Sequence, residues 1–346
     1  MAQKRLSACV KVSLAVFCLL IFQGLKAQYD FSELDGKLQL YQNQLDGFVA
    51  ALVYKDGKIV HNKALGVDFN ANEPARIANS SQWLTAALVM MFVDEGKISL
   101  DDKVMTYLPI FERYSKRYVT IRQCLNGTTG IEGESINNAG AGATLEEQVD
   151  GFASRRDIKA APGTVFRYSN VGLNIAGRIL EIVSKKSFDQ LMTQKLLRPL
   201  GMKNASFQDD SGNSSDPCTG AIASAADYMN FLEMLLDKGM FKGKRILSEA
   251  AIAQMEQAQT TPQIIKYMPA LLEGYSYGFG NVLLEQDDSG KGICVASPSL
   301  LGTWPIVDFG RGYACIIFLK KHVPNLKKEI ILDLKRSIDD AVAPAK

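Results

Sequence analysis

From residue 76 to 109 the chain reads RIANSSQWLTAALVMMFVDEGKISLDDKVMTYLP, and its first letters set Asn79, Ser80, Ser81 and Gln82 at the start of an apolar helix. A helix start suits acyl-transfer chemistry, because the dipole there favours the oxyanion formed when a nucleophile attacks a carbonyl. That reaction needs a hydroxyl or thiol and a neighbouring group to take its proton. Asn79 is no useful nucleophile, and Gln82 has no titratable nitrogen. Ser80 and Ser81 do carry hydroxyls within the first turn. Neither has a lysine in reach by sequence, and no Ser-x-x-Lys occurs anywhere in the chain. A structural role fits the same letters: Asn79 as N-cap, with Gln82 three residues on completing something close to a capping box.

The other chemistry-bearing residues are few. His61 and His322 are the only histidines. A three-histidine metal site is therefore impossible, and a Ser-His-Asp triad would have to use one of these two. His61 falls in a strand-like stretch and His322 follows the last one, so both read as strand or surface residues. Tyr168-Ser169-Asn170 precedes a helical stretch. It offers a phenol and an amide, or equally a core ring and a helix cap. No metal or cofactor motif is present.

The 346 residues, 47% hydrophobic and 22% charged, are enough for one large globular core. Lys4, Arg5 and Lys11 precede or open an apolar run from Val12 to Phe22, and a small residue follows at Ala27. This pattern predicts a signal peptide cleaved after Ala27, hence a periplasmic or secreted protein with no stable membrane span. The Leu-Ser-Ala-Cys sequence at 6–9 mimics a lipoprotein box but precedes the apolar run instead of ending it. Without residues 1–27 the balance is 35 basic against 37 acidic residues. No clustered basic face marks a nucleic-acid partner. Cys124, Cys218, Cys294 and Cys315 remain, their spacings unlike a metal site, and either pairing or free buried thiols is compatible with export.

Residues 47–68 read as a hairpin turning at Asp56-Gly57. The stretch from 81 to 95 is apolar on nearly every face, so a helix there is buried all round and closed by Gly96. Helical periodicity recurs at 145–153, 171–184, 187–197, 225–238, 248–257 and 325–342. Strand-like segments return at 277–286, 292–297, 303–309 and 312–320, while 209–217 has the composition of an exposed loop. Strands at both ends with helices between predict an α+β fold: one antiparallel sheet built from both chain ends and flanked by helices. Residues 28–75 and 270–346 would form the sheet region of a single domain, with 76–269 an inserted, mostly helical region.

Seven phrases, in order, resemble the serine β-lactamase and penicillin-binding-protein-like superfamily, in its class C and esterase-like branch. They are VYKDGKIV, the 76–109 stretch, VTIRQCLNGTTGI, APGTVFRYSNVGLNIAGRILE, LLRPLGMKNASF, IASAADYMNFLEMLL and YSYGFG. The resemblance implies three catalytic elements: Ser-x-x-Lys at the buried helix, Tyr-x-Asn on a loop, and a strand with Lys or His and a glycine. It sets Asn79 on the serine position and Gln82 on the lysine position. Tyr168 and Asn170 match the second element. The strand cation falls at Cys294 or, in another register, at Ser297, with Gly302 keeping the backbone open; Gly127 stands where a histidine is common. With nucleophile, base and cation all replaced, the expectation is a pseudoenzyme. Its cleft, formed by Asn79, Gln82, Tyr168, Asn170, Cys294 and Ser297, would bind a peptide, cell-wall fragment or protein partner. The alternatives are an atypical esterase, amidase or D-peptidase using Ser80 or Ser81, and a structural module whose cleft is filled by its own side chains, Trp83 among them.

Overall fold

The computed structural model describes residues 29–133, 143–208, 216–323 and 326–343; the expected signal peptide lies outside them. Among the described residues no helix is long and apolar enough to cross a membrane. A seven-stranded antiparallel sheet runs through the molecule. Its strands are β1 (Val49–Lys55), β2 (Lys58–Leu65), β3 (Ser276–Tyr277), β4 (Val282–Gln286), β5 (Gly292–Ala296), β6 (Trp304–Asp308) and β7 (Tyr313–Leu319), in the spatial order β2-β1-β7-β6-β5-β4-β3. The β1–β7 pairing joins the two halves of the sequence, with Val53 opposite Cys315. Asp56 and Gly57 both adopt positive φ, as the tight turn between twisted strands demands.

Alternation along the strands sorts the core into two layers. Val49, Ala51 and Val53 face a layer containing α1 (Ser32–Tyr41) and α7 (Lys328–Val342), where Leu34, Leu38, Ile330, Leu334 and Ile338 are buried. Ala50, Leu52 and Tyr54 face the helical region, chiefly α5 (Ala225–Leu236) and α2 (Ser81–Asp94). The helix α2 is buried on nearly every face, and Gly96 beyond it takes φ +65. Trp83 belongs to this core, edge-on to Phe231. Three more helices complete the region near the site: α3 (Leu145–Ser154), α4 (Val171–Ser184) and α6 (Glu249–Met255).

Two elements differ from the sequence expectation. The 277–286 stretch is a hairpin instead of one strand, because the chain reverses at 278–281 and pairs Tyr277 with Val282. Gly280, at φ +73, makes this possible: a Cβ there would lie 2.5 Å from the Gln82 carbonyl oxygen. Helix α1 carries too little amphipathic signal to be read in advance, since only Leu34 and Leu38 are buried. It is tied to α7 by Lys37 and Tyr41, each 2.9 Å from a carboxylate oxygen of Asp333.

A buried ionic cluster locks α7 onto the sheet. Lys335 Nζ lies 2.8 Å from Asp339 and 3.4 Å from Asp308, whose side chain is wholly buried at the end of β6. Arg311 covers Asp308 from the other side at 2.8 Å, and the Tyr313 hydroxyl donates to Asp339 at 2.6 Å. Removing one member of such a group leaves uncompensated charge in the interior. The variant Lys335→Met is expected to lose about 3 kcal/mol in urea unfolding at pH 7. A loss below about 0.5 kcal/mol would mean that Arg311 alone neutralises both acids.

Candidate active site

Four chain segments meet at the start of α2. The lead-in Ala75–Arg76 pairs with Ile222–Ala223, and Ile77 N–H donates to the Ala221 carbonyl at 3.0 Å. Ala78 then takes φ +42, a left-handed conformation that costs an alanine about 1 kcal/mol. The surrounding contacts hold this kink, which delivers Asn79 to the helix start.

Asn79 is only 2% exposed. Its carboxamide oxygen accepts a hydrogen bond from the Leu300 N–H at 3.3 Å, in the segment that follows β5. The N-cap expected of Asn79 is absent: α2 has no side-chain cap, and Gln82 does not complete a box. The polar side chains bond across to other segments instead. Gln82 Oε1 accepts from the Tyr277 hydroxyl at 2.8 Å, and its Nε2 donates to Cys218 Sγ at 3.2 Å. A glutamine held from both ends cannot rotate into solvent.

The two serines are fully buried. Ser80 Oγ donates to the Ser297 carbonyl at 2.7 Å, while its own carbonyl accepts from Tyr228 at 2.7 Å. Ser81 Oγ accepts from the Ala221 N–H at 3.0 Å. Both hydroxyls thus serve as struts between α2 and its neighbours. Neither stands free beside a base.

Tyr168 and Asn170 do come to this place. The Tyr168 ring stands edge-on to Tyr277, centroids 6.0 Å apart, and is 5% exposed. Burial pushes its phenol well above the usual range, and the Gln82 and Asn79 amides beside it draw it only partly back. Asn170 occupies the N-cap position of α4 without a side-chain cap bond, and its amide lies against Asp216. Burial raises the Asp216 carboxyl, against hydrogen bonds from Asn174 and the Cys218 and Thr219 amides. The 209–217 stretch is therefore no simple exposed loop at its end: Pro217 is buried and its carbonyl accepts from Thr85 at 2.6 Å.

The two registers for the strand cation separate cleanly. Ser297 lies in the site, its hydroxyl donating to the Gly280 carbonyl at 2.8 Å. Cys294 does not belong to the cleft. It is an odd number of residues away along an extended strand, and so packs on the opposite face with Trp304, Ile306 and α7. All four described cysteines are free and buried, and burial raises each thiol. His61 stacks on Phe31 at 4.6 Å, away from α2. Gly127 sits at φ +69 beneath Phe166, where a Cβ would meet the ring at 2.7 Å. Gly302 also takes positive φ, at +119, packed on Leu319.

Four residues of the site escape the motif-based expectation. Tyr277 lies within a matched phrase but outside any catalytic element. Asp216 and Cys218 lie at the end of a polar stretch, and Tyr228 is one of two aromatics on α5. Only the fold brings them together.

An antiparallel sheet layered between terminal helices and a helical region, with the site at the start of its buried helix, defines a β-lactamase or transpeptidase-like fold. The chain belongs to the beta-lactamase family, whose model matches residues 39–338. Penicillin-binding protein 4 of Amycolatopsis lactamdurans is 29% identical over 246 residues, 60% of this chain and 64% of that protein. Protein flp of Staphylococcus aureus is 28% identical over 189 residues, 49% of this chain and 36% of that one. The match thus spans less than two thirds of either relative. Among solved structures, a candidate beta-lactamase from Bacteroides dorei superimposes with a TM-score of 0.81 at 24% identity, covering 91% of this chain and 99% of its own. EstCE1, a hydrolase with promiscuous acyltransferase activity, gives 0.76 at 19%, covering 89% and 97%. At these identities the likeness concerns the fold.

The Gln82–Tyr277 bond is the most exposed to test. Tyr277→Phe leaves Gln82 Oε1 buried without its donor and is expected to cost about 1–2 kcal/mol in urea unfolding. Combining it with Gln82→Met should recover part of that loss, so the two changes are non-additive. Strict additivity would show that the pair does not interact.

Proposed function

We propose that the chain is an exported, non-hydrolytic member of the beta-lactamase family that acts by binding a peptide, cell-wall fragment or protein partner. One observation carries the proposal. The positions that correspond to nucleophile and base hold Asn79 and Gln82, two neutral amides, both buried, with Gln82 hydrogen-bonded at each end. Loss of the nucleophile alone removes about 10⁶ in turnover from a well-studied serine hydrolase, equivalent to roughly 8 kcal/mol of barrier. Loss of the base adds little, because the two act as a unit.

The surroundings support the same view. Ser80 and Ser81 are committed to hydrogen bonds that hold α2 in place, and among the described residues neither hydroxyl is bonded to a lysine or a histidine. Ser297 supplies no positive charge for a substrate carboxylate. The Leu300 amide, a donor a substrate oxygen could have used, is taken by Asn79. Tyr168 and Asn170 are present but enclosed, which supports a filled cleft, with the binding surface on another part of the molecule. Export rests on the N-terminal sequence pattern, with cleavage after Ala27.

Intact-mass analysis after incubation with a fluorophosphonate and, separately, a penicillin tests the proposal. The mature protein is expected to keep its mass with both. A stoichiometric adduct mapped to Ser80 or Ser81 would replace the proposal with an atypical serine hydrolase.

A further inference from the structure

A cavity of about 540 Å³ lies between the β1–β2 turn, the C-terminal end of α5, α6 and the segment after β6. It shares no lining residue with the cluster around Asn79. At its base is Glu256, just past the end of α6. This carboxylate is 4% exposed, and its Oε1 is buried without a hydrogen-bond partner. A buried charge without a partner is costly, and interiors normally supply one. Glu256 also lines the cavity, so a group admitted there comes against its side chain.

The walls specify its chemistry. Besides Glu256 the lining contains Asp56, Asp237 and Glu249 against Lys238 and Lys291. Lys238 is already paired with Glu249 at 2.9 Å on the rim. Asp237 caps the C-terminal end of α5, where the helix dipole adds negative potential. Tyr54 reports this potential: burial, then the charges of Glu233 and Asp237, push its phenol up to about 12. An anion is excluded by charge, and no group of three metal-ligating side chains occurs among the described residues. Leu236, Ile252 and Phe309 supply apolar walls. A compact cation on a hydrocarbon stem fits these walls.

We propose that this cavity binds an aliphatic ammonium group, with Glu256 as its counter-ion and Tyr54 and Phe309 against its stem. The ammonium could belong to a free alkylamine or to the lysine side chain of a peptide. The site is independent of what happens at the start of α2.

The pH dependence follows from the groups facing Glu256. The titratable groups that line the cavity with it are Asp237 and Lys238 just past α5, Glu249 from its own helix, Tyr54 and Asp56 from the hairpin, and Lys291 just before β5; of these Lys291 acts on the Glu256 carboxyl. Burial pushes the Glu256 carboxyl up to about 8, with Lys291 acting in the opposite sense. In the amine-free protein the raised carboxyl contributes stability that is present below the ordinary carboxylate range and is lost as pH climbs through about 8. An ammonium favours the ionised form, so binding expels a proton and tightens as pH rises.

Calorimetric titration of the mature protein with 1,5-diaminopentane and with Nα-acetyl-lysine methylamide, using hexanoate as the anionic control, tests this between pH 6 and 8.5. Affinity for at least one amine should rise about tenfold per pH unit below about 8, with proton release. Binding of the diamine alone assigns a free amine, and binding of the lysine derivative assigns a peptide side chain. Glu256→Gln should weaken binding at pH 8.5 at least tenfold and flatten the profile. Lys291→Met, which removes the cation that lowers the Glu256 carboxyl, should shift the rising part of the affinity profile to higher pH, and this variant decides the matter if Glu256→Gln does not fold. The proposal is overturned if neither amine binds more tightly than hexanoate, or if affinity and pH profile are unchanged in the folded variants.

Discussion

The start of α2 brings more hydrogen-bonding groups into the interior than a buried helix end can leave open. Its first amides, the Asn79 and Gln82 carboxamides and the Ser80 and Ser81 hydroxyls all lie out of contact with solvent. Buried polar groups must find partners within the protein or destabilise it. The neighbouring segments are arranged around that demand. The hairpin at Gly278–Asn281 brings Tyr277 to Gln82, the segment after β5 brings Leu300 to Asn79, and the chain after Pro217 brings Cys218 and Ala221. In an active hydrolase some of these positions must stay available to substrate. Here most of them are occupied by the protein itself, while the Asn79 Nδ2 amide is buried without a partner.

The layers behind the site are packed tightly against the start of α2. Gly280 lets the hairpin approach the α2 backbone, and Gly172 lets α4 touch the Cys124 carbonyl, where a Cβ would come within 2.1 Å. Ala78 holds its left-handed kink. These close approaches and the kink at Ala78 hold the start of α2 against its neighbours. Strain of this kind is commonly found at functional sites, and its persistence here comes from the packing on either side.

Much of the frame was legible in the sequence. The Asp56-Gly57 turn, the all-round apolar α2 and the alternating strands of the second half are local patterns, and local patterns fix local structure. The lack of any Ser-x-x-Lys sequence was equally plain, since it depends on residue type alone. What the sequence concealed was long-range partnership. Asn79 and Gln82 look like a capping pair, yet each prefers a bond to a segment about 200 residues away. Cys294 and Ser297 were interchangeable until the strand phase was known; one residue of register moves a side chain to the opposite face. Nor could Glu256 be singled out, because its burial depends on how α6 packs and not on its neighbours in sequence.

The most direct test of a chemically silent helix start is steady-state hydrolysis of p-nitrophenyl acetate and nitrocefin, comparing the natural protein with Ser80→Ala and Ser81→Ala. The structure predicts equal rates for all three, no higher than those given by an unrelated protein at the same concentration. Turnover by the natural protein that disappears in either serine variant would contradict it, and would mean that α2 rearranges to free a hydroxyl.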